Sequence, residues 1–156
     1  MSDLTLYRTL SSEQDTRNLA SGLAPMARPG DVIALEGDLG AGKTVFARAF
    51  ITALGGGDEV PSPTFTLVQS YDSASGPIHH FDLYRIESPE DTFELGLEEL
   101  LPDGISLIEW PDRLGPYMPT DHLTIRIIEN SSTSRVVEAV CAGDWVHRLD
   151  DLKELF

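Results

Sequence analysis

Gly37-Asp38-Leu39-Gly40-Ala41-Gly42-Lys43-Thr44 fills every specified position of the pattern G-x-x-x-x-G-K-[ST]. This stretch constrains the fold more than any other in the chain, because its chemistry needs a strand before it and a helix after it. Gly37, Gly40 and Gly42 permit backbone conformations that a side chain forbids. Successive N–H groups can then converge on phosphate oxygens, with the positive end of the following helix aimed at the same point. Lys43 supplies a mobile charge for outer phosphates, and the Thr44 hydroxyl is placed to meet magnesium. The chain holds only two lysines, and one of them occupies the motif position.

The flanking sequence meets these demands. Val32-Ile33-Ala34-Leu35 is a short apolar run of the kind found in a buried parallel strand. Phe46, Ala47, Phe50, Ile51 and Leu54 then fall on one helical face, and Gly55-Gly56-Gly57 ends that helix. Upstream, Leu4 and Leu6 alternate with Thr5 and Tyr7 as in a strand. Ser11 and Gln14 read as a capping box for a helix carrying Thr16, Leu19, Leu23 and Met26. Strand, helix, strand, glycine loop and helix in sixty residues predict an α/β fold.

Further elements follow. Val60 to Tyr71 is free of charged residues and contains the strand-like Phe65-Thr66-Leu67-Val68. Ile78 to Asp82 reads as its hairpin partner across Ser75-Gly76-Pro77. Ser88, Pro89 and Asp91 open a helix whose apolar face is Phe93, Leu97, Leu100 and Leu101. Ile105 to Ile108 is a second buried strand. His122 to Ile128 and Arg135 to Cys141 form an antiparallel pair, and Trp145, Leu149, Leu152 and Leu155 a closing helix. With no linker and no repeat, residues 1–156 read as a single domain.

A phosphate loop needs a carboxylate at the end of a neighbouring strand. Glu109, after the more apolar strand, suits the metal; Asp82 suits a switch or water-positioning role. Thr64 and Thr66 could reach a terminal phosphate and magnesium, or be ordinary strand threonines. His79 and His80 alternate across a strand, so one should be packed and the other exposed. One cysteine and scattered histidines cannot close a zinc site.

Charge and leader content narrow the setting. Acidic residues number 26 against 11 basic ones, for a net charge of −15, so bulk attraction will not hold a nucleic-acid backbone. The lone Cys141 suits a reducing compartment. The N-terminus lacks the pattern of a signal peptide, and no apolar run nears the roughly 18 residues of a membrane span. The expected setting is the cytoplasm, with no membrane contact.

Four motifs occur in order: the phosphate loop, Ser62-Pro63-Thr64-Phe65-Thr66-Leu67-Val68, His80-Phe81-Asp82-Leu83-Tyr84-Arg85, and Glu109-Trp110-Pro111. Together they resemble the TsaE family, small bacterial ATPases of tRNA threonylcarbamoyladenosine synthesis. The resemblance runs from about Leu10 to Trp110. It implies a three-layer P-loop NTPase fold with a mostly parallel central sheet and added antiparallel strands. It implies slow hydrolysis of ATP with Mg2+, coupled to a complex of the TsaB and TsaD proteins; a monomer is the expected form of the free chain, though the sequence does not fix its oligomeric state. That complex modifies tRNA, which this chain would meet only indirectly. By position, Gly40, Ala41, Gly42, Lys43, Thr44 and Val45 would bind phosphates, and Glu13 would lie near the adenine. Thr44 and Glu109 would hold magnesium, Thr64 would act as a switch, and Asp82 would support hydrolysis. A glycine-arginine pair frequent on the family's late hairpin is replaced here by Asn130-Ser131-Ser132-Thr133-Ser134-Arg135.

Two other functions fit a phosphate loop. One is a small P-loop kinase, which would need an arginine-bearing lid; the arginines here are scattered. The other is a nucleotide-switch module in which binding matters and hydrolysis is incidental. A guanine switch lacks its Asn-Lys-x-Asp base-reading motif in this chain.

Overall fold

A computed structural model describes residues 4–38, 40–56 and 67–156. Its strands are β1 (Leu4–Leu10), β2 (Val32–Glu36), β3 (Val68–Tyr71), β4 (Ile78–Asp82), β5 (Ile105–Glu109), β6 (His122–Glu129) and β7 (Arg135–Ala142). Its α-helices are α1 (Glu13–Leu23), α2 (Lys43–Ala53), α3 (Leu97–Asp103) and α4 (Leu149–Lys153). The described strands form one sheet in the order β1-β7-β6-β2-β5-β4-β3. The four central strands, β6, β2, β5 and β4, are mutually parallel. The pairs β1–β7, β6–β7 and β3–β4 are antiparallel. This is the expected α/β class, a P-loop NTPase-like fold with a parallel centre and antiparallel additions on both sides.

Alternation along the central strands divides the apolar residues between two faces. Ile33 and Leu35 of β2 and Ile105 and Leu107 of β5 pack with Leu19, Leu23, Phe46 and Phe50 of α1 and α2. Val32, Phe81 and Ile108 point the other way, against Leu83, Leu97 and Leu114. Helices cover both faces, which is why every residue of β5 is buried.

Local signals shift in four places. The cap of α1 is Ser12, not Ser11: Ser12 Oγ accepts from Asp15 N (3.2 Å) and Ser11 N donates to Asp15 Oδ2 (2.8 Å). The Asp15 carboxylate thus accepts from the residue before the cap, four positions back, and not from the cap's own N–H, so the reciprocal half of the box is absent; Gln14 instead donates to Asn18 along the helix. The single helix expected after Ser88 is two. A capped 3₁₀ turn over Pro89–Leu95 ends at Gly96 (φ 72°), where α3 begins. Phe93 is therefore exposed and sits edge-on to Tyr117, outside the apolar face assigned to it. Trp145 belongs to a 3₁₀ turn, Gly143–Arg148, that precedes the closing helix α4.

The last shift concerns β4. It is the expected hairpin partner of β3, with Val68 opposite Phe81, and it also runs parallel to β5. Covered on both faces, it buries both histidines, not one. Gly57, Phe65 and Thr66 lie outside the described residues, as does the proposed switch residue Thr64.

Candidate phosphate-binding site

The parallel order brings the ends of β2, β5 and β4 together. At the end of β2 the chain turns through Gly37, where a Cβ would lie 2.6 Å from the Ile127 carbonyl oxygen. Gly42 (φ 113°), in a left-handed conformation, then caps the N-terminus of α2.

Lys43, the first residue of α2, is only 4% exposed. Its ammonium donates to the Gly37 carbonyl (2.6 Å) and lies 3.5 Å from the centre of the Trp110 ring. Burial pushes its pKa below the usual lysine value, while Glu109, Asp82, Asp38 and Asp112 oppose that shift. The ring reaches Lys43 because Trp110 adopts a left-handed conformation (φ 59°, ψ 53°) between Glu109 and the 3₁₀ turn begun by Pro111. The Tyr84 ring packs at a tilt against Trp110, ring centres 5.0 Å apart.

Thr44 Oγ1 faces Glu109 at 3.3 and 3.4 Å from the two carboxylate oxygens. Glu109 is 3% exposed and accepts from His80 Nε2 at 2.7 Å. Asp82 stands opposite Glu109 in the β4–β5 register. Its Oδ1 accepts from Tyr84 N (3.2 Å). Burial raises its pKa and the Glu109 charge adds to the rise; the Tyr84 hydrogen bond, His80 and Lys43 oppose it. Gly40, Gly42, Lys43, Thr44, Val45, Asp82, Glu109 and Trp110 all line one cleft of about 370 Å³.

Thr44 and Glu109 offer hard oxygen donors. Among the described residues no group of three or more His, Cys, Asp or Glu side chains could hold a metal ion. Two protein oxygens with the remainder from phosphate and water is the coordination magnesium prefers, so the donor set fits that ion.

Glu13 does not line this cleft. It lines an adjoining cavity of about 460 Å³ with Ser12, Thr16, Ala41 and Arg135, and pairs with Arg17. The two spaces share Gly40, Gly42 and Val45. Arg135 was missed as a site residue by sequence reasoning. Its Nε donates to the Ala41 carbonyl (3.3 Å), and its Nη1 to the Ser131 and Ser134 carbonyls (3.2 and 3.0 Å). The β6–β7 hairpin thereby reaches the phosphate loop. The sequence places His80 in the motif His80–Arg85 and in alternation with His79, and assigns it no role at the site. Its spacing from Asp82, two residues along one strand, was the signal that both share a face.

Among the described residues no helix is long and apolar enough to cross a membrane. A family model described as threonylcarbamoyl adenosine biosynthesis protein TsaE matches residues 10–137. The tRNA threonylcarbamoyladenosine biosynthesis protein TsaE of Rickettsia bellii is 40% identical over 128 residues, covering 81% of this chain and 89% of that one. The Bacillus subtilis protein of the same name is 37% identical over 139 residues, covering 88% and 86%. The crystal structure of Bacillus subtilis YdiB superposes with a TM-score of 0.82 at 30% identity, covering 99% of this chain and 97% of that one. The chain belongs to the TsaE family of threonylcarbamoyl adenosine biosynthesis proteins.

Proposed function

We propose that this chain is a magnesium-dependent ATPase that serves tRNA threonylcarbamoyladenosine modification by acting on the TsaB–TsaD complex, without transferring the threonylcarbamoyl group itself. One observation carries the ATPase reading: Lys43 and Thr44 from the start of α2, Asp82 from the end of β4 and Glu109 from the end of β5 line a single cleft. The loop N–H groups and Lys43 bind the phosphates. Thr44 and Glu109 present oxygens to Mg2+, which when bound neutralises charge on the outer phosphates. Asp82, with its raised proton affinity, orients the attacking water by accepting a hydrogen bond from it. The net charge of −15 supports a role in which tRNA contact is left to the partners.

The test is ATP hydrolysis by the purified chain, alone and with TsaB and TsaD. Weak activity alone that rises with the partners supports the coupled ATPase. Partner-independent activity, or phosphate delivered to a small acceptor instead of water, favours a kinase.

Two substitutions check the assigned roles. Glu109→Ala should raise the Mg2+ concentration needed for half-maximal hydrolysis by about tenfold or more. Unchanged Mg2+ dependence removes Glu109 from the metal. Asp82→Asn should cut hydrolysis about a hundredfold and leave ATP affinity within about threefold. Equal loss of both assigns Asp82 to binding.

Asp82→Asn also has a stability signature. Because folding raises the Asp82 pKa, its ionised form disfavours the folded state at neutral pH, and the penalty is relieved as pH falls through the raised value. The variant should melt higher than the wild type at pH 7, with the gap closing in acid. Thermal melts across pH read this directly, and a lower melting point at pH 7 contradicts it.

A further inference from the structure

His79 and His80 are adjacent, both buried, and satisfied very differently. His79 uses both ring nitrogens: Nδ1 meets Ser70 Oγ at 2.7 Å and Nε2 meets Asp103 Oδ2 at 3.0 Å. It ties the β3–β4 hairpin to the end of α3 and needs no further role. His80 is wholly buried, and Nδ1 has no partner among the described residues. Its one hydrogen bond runs from Nε2 to Glu109 Oε2, at 2.7 Å. Burying an imidazole with one nitrogen unpaired costs free energy, and an apolar side chain would suit a strand flanked by Ile78 and Phe81 better. The ring is placed for Glu109 and not for the core.

The geometry at Glu109 shows what that bond can do. The last torsion of a glutamate is broad and roughly two-fold, so packing alone leaves the carboxylate plane free to turn. Thr44 Oγ1 is almost equidistant from the two oxygens and selects neither. His80 does select, because it holds Oε2 and leaves Oε1 with uncommitted lone pairs beside Thr44. The Nε2 atom donates, since a carboxylate only accepts. A donor behind a metal-binding group fixes its orientation, and loss of such a donor weakens metal affinity by about 10–100-fold.

We propose that His80 is a positioning residue that sets the Glu109 carboxylate for magnesium. It acts through Glu109 and does not touch nucleotide. The proposal rests on the reading of Thr44 and Glu109 as the magnesium donors.

The test measures ADP affinity of the whole chain against Mg2+ concentration, and separately in chelator. His80→Phe keeps a buried ring and removes the donor; His80→Gln restores an N–H of similar reach. His80→Phe should bind ADP in chelator like the wild type, yet need about tenfold or more Mg2+ for the metal-dependent gain. His80→Gln should recover most of the loss. An unchanged Mg2+ dependence in folded His80→Phe overturns the proposal, and so does equal loss in both variants, which marks a packing role. Glu109→Gln in the same assay separates the two levels. If it also leaves Mg2+ dependence unchanged, the metal reading itself has failed and His80 falls with it. If Glu109→Gln is impaired and His80→Phe is not, only the His80 proposal fails. Should His80→Phe not fold, the wild type still decides by NMR of the imidazole. The Nε2–H resonance should shift when Mg2+ is added to the ADP-bound protein, and no shift overturns the proposal.

Discussion

Lys43→Ala should lower ATP affinity by about a hundredfold or more without unfolding the protein. Hydrogen bonds from a charged group are worth about 1.5–3 kcal/mol each, and two bonds to outer phosphates account for two or more decades. Stability should change little. The wild-type ammonium has given up most of its hydration for one carbonyl and one ring face. Such a buried cation is near break-even for folding. Thermal midpoints within ~3 °C of the wild type are expected alongside the affinity loss. Lys43→Arg should rescue poorly, because a planar fork cannot take the place of a compact ammonium packed on Trp110. Displacement of a fluorescent nucleotide measures the two affinities, and thermal melts measure the midpoint. Affinity for ATP within threefold of wild type in Lys43→Ala would mean that the cleft does not take phosphate through this residue.

Arg148→Ala should give the largest loss of stability among the ion pairs. Arg148 is 7% exposed and grips both oxygens of Asp31, at 2.6 and 2.9 Å. It also donates to Asp144 (2.7 Å) and lies over the Trp145 ring. Removing it leaves Asp31, whose side chain is only 11% exposed and lies immediately before β2, with no paired cation and one hydrogen bond, from Arg28 N (2.7 Å). Breaking a buried pair from one side costs about 3–5 kcal/mol, which corresponds to a midpoint shift of ~10 °C in a chain of this size. Most of that loss is the uncompensated charge of Asp31, so Asp31→Asn added to Arg148→Ala should recover a good part of it, with the new amide oxygen still able to accept from Arg28 N. Denaturant unfolding of the single and double variants tests both statements, and a single-variant loss below about 1 kcal/mol contradicts them. Asp144 adds little, because its side chain is 55% exposed. Its hydrogen bond to Arg148 holds its carboxyl below the usual range. Its contribution is therefore complete above the ordinary carboxylate pKa and lost as pH falls through the lowered value.

The site was legible where chemistry is written in consecutive residues. The phosphate loop, its buried strand and its apolar-faced helix are local signals, and Glu109 and Asp82 could be placed because each ends a short strand. What escaped depends on neighbours far along the chain. Alternation predicts one exposed histidine in β4 only if one sheet face meets water, and here helices cover both. Arg135 reaches Ala41 across 94 residues, a proximity created by β6 lying against β2. The break at Gly96 was hidden by apolar spacing that continues across it. The cap falls on Ser12 and not Ser11 because two adjacent serines offer the same hydroxyl, and only the fold settles which one receives the Asp15 N–H.

The place of β1 in the sheet has a kinetic consequence. Among the described residues, Leu4–Leu10 pairs within the sheet only with β7, in a register that joins Leu4 to Cys141. Arg8 adds a bond to the Leu155 carbonyl. During synthesis the first strand must therefore wait for nearly the whole chain, while β2 waits for both β5 and β6 to complete its neighbours. Closing such long loops precedes the reward of pairing, which makes folding slow and leaves early apolar strands without their edges. A nascent chain halted before β7 is thus the form most exposed to aggregation, and the one on which a chaperone has most to act.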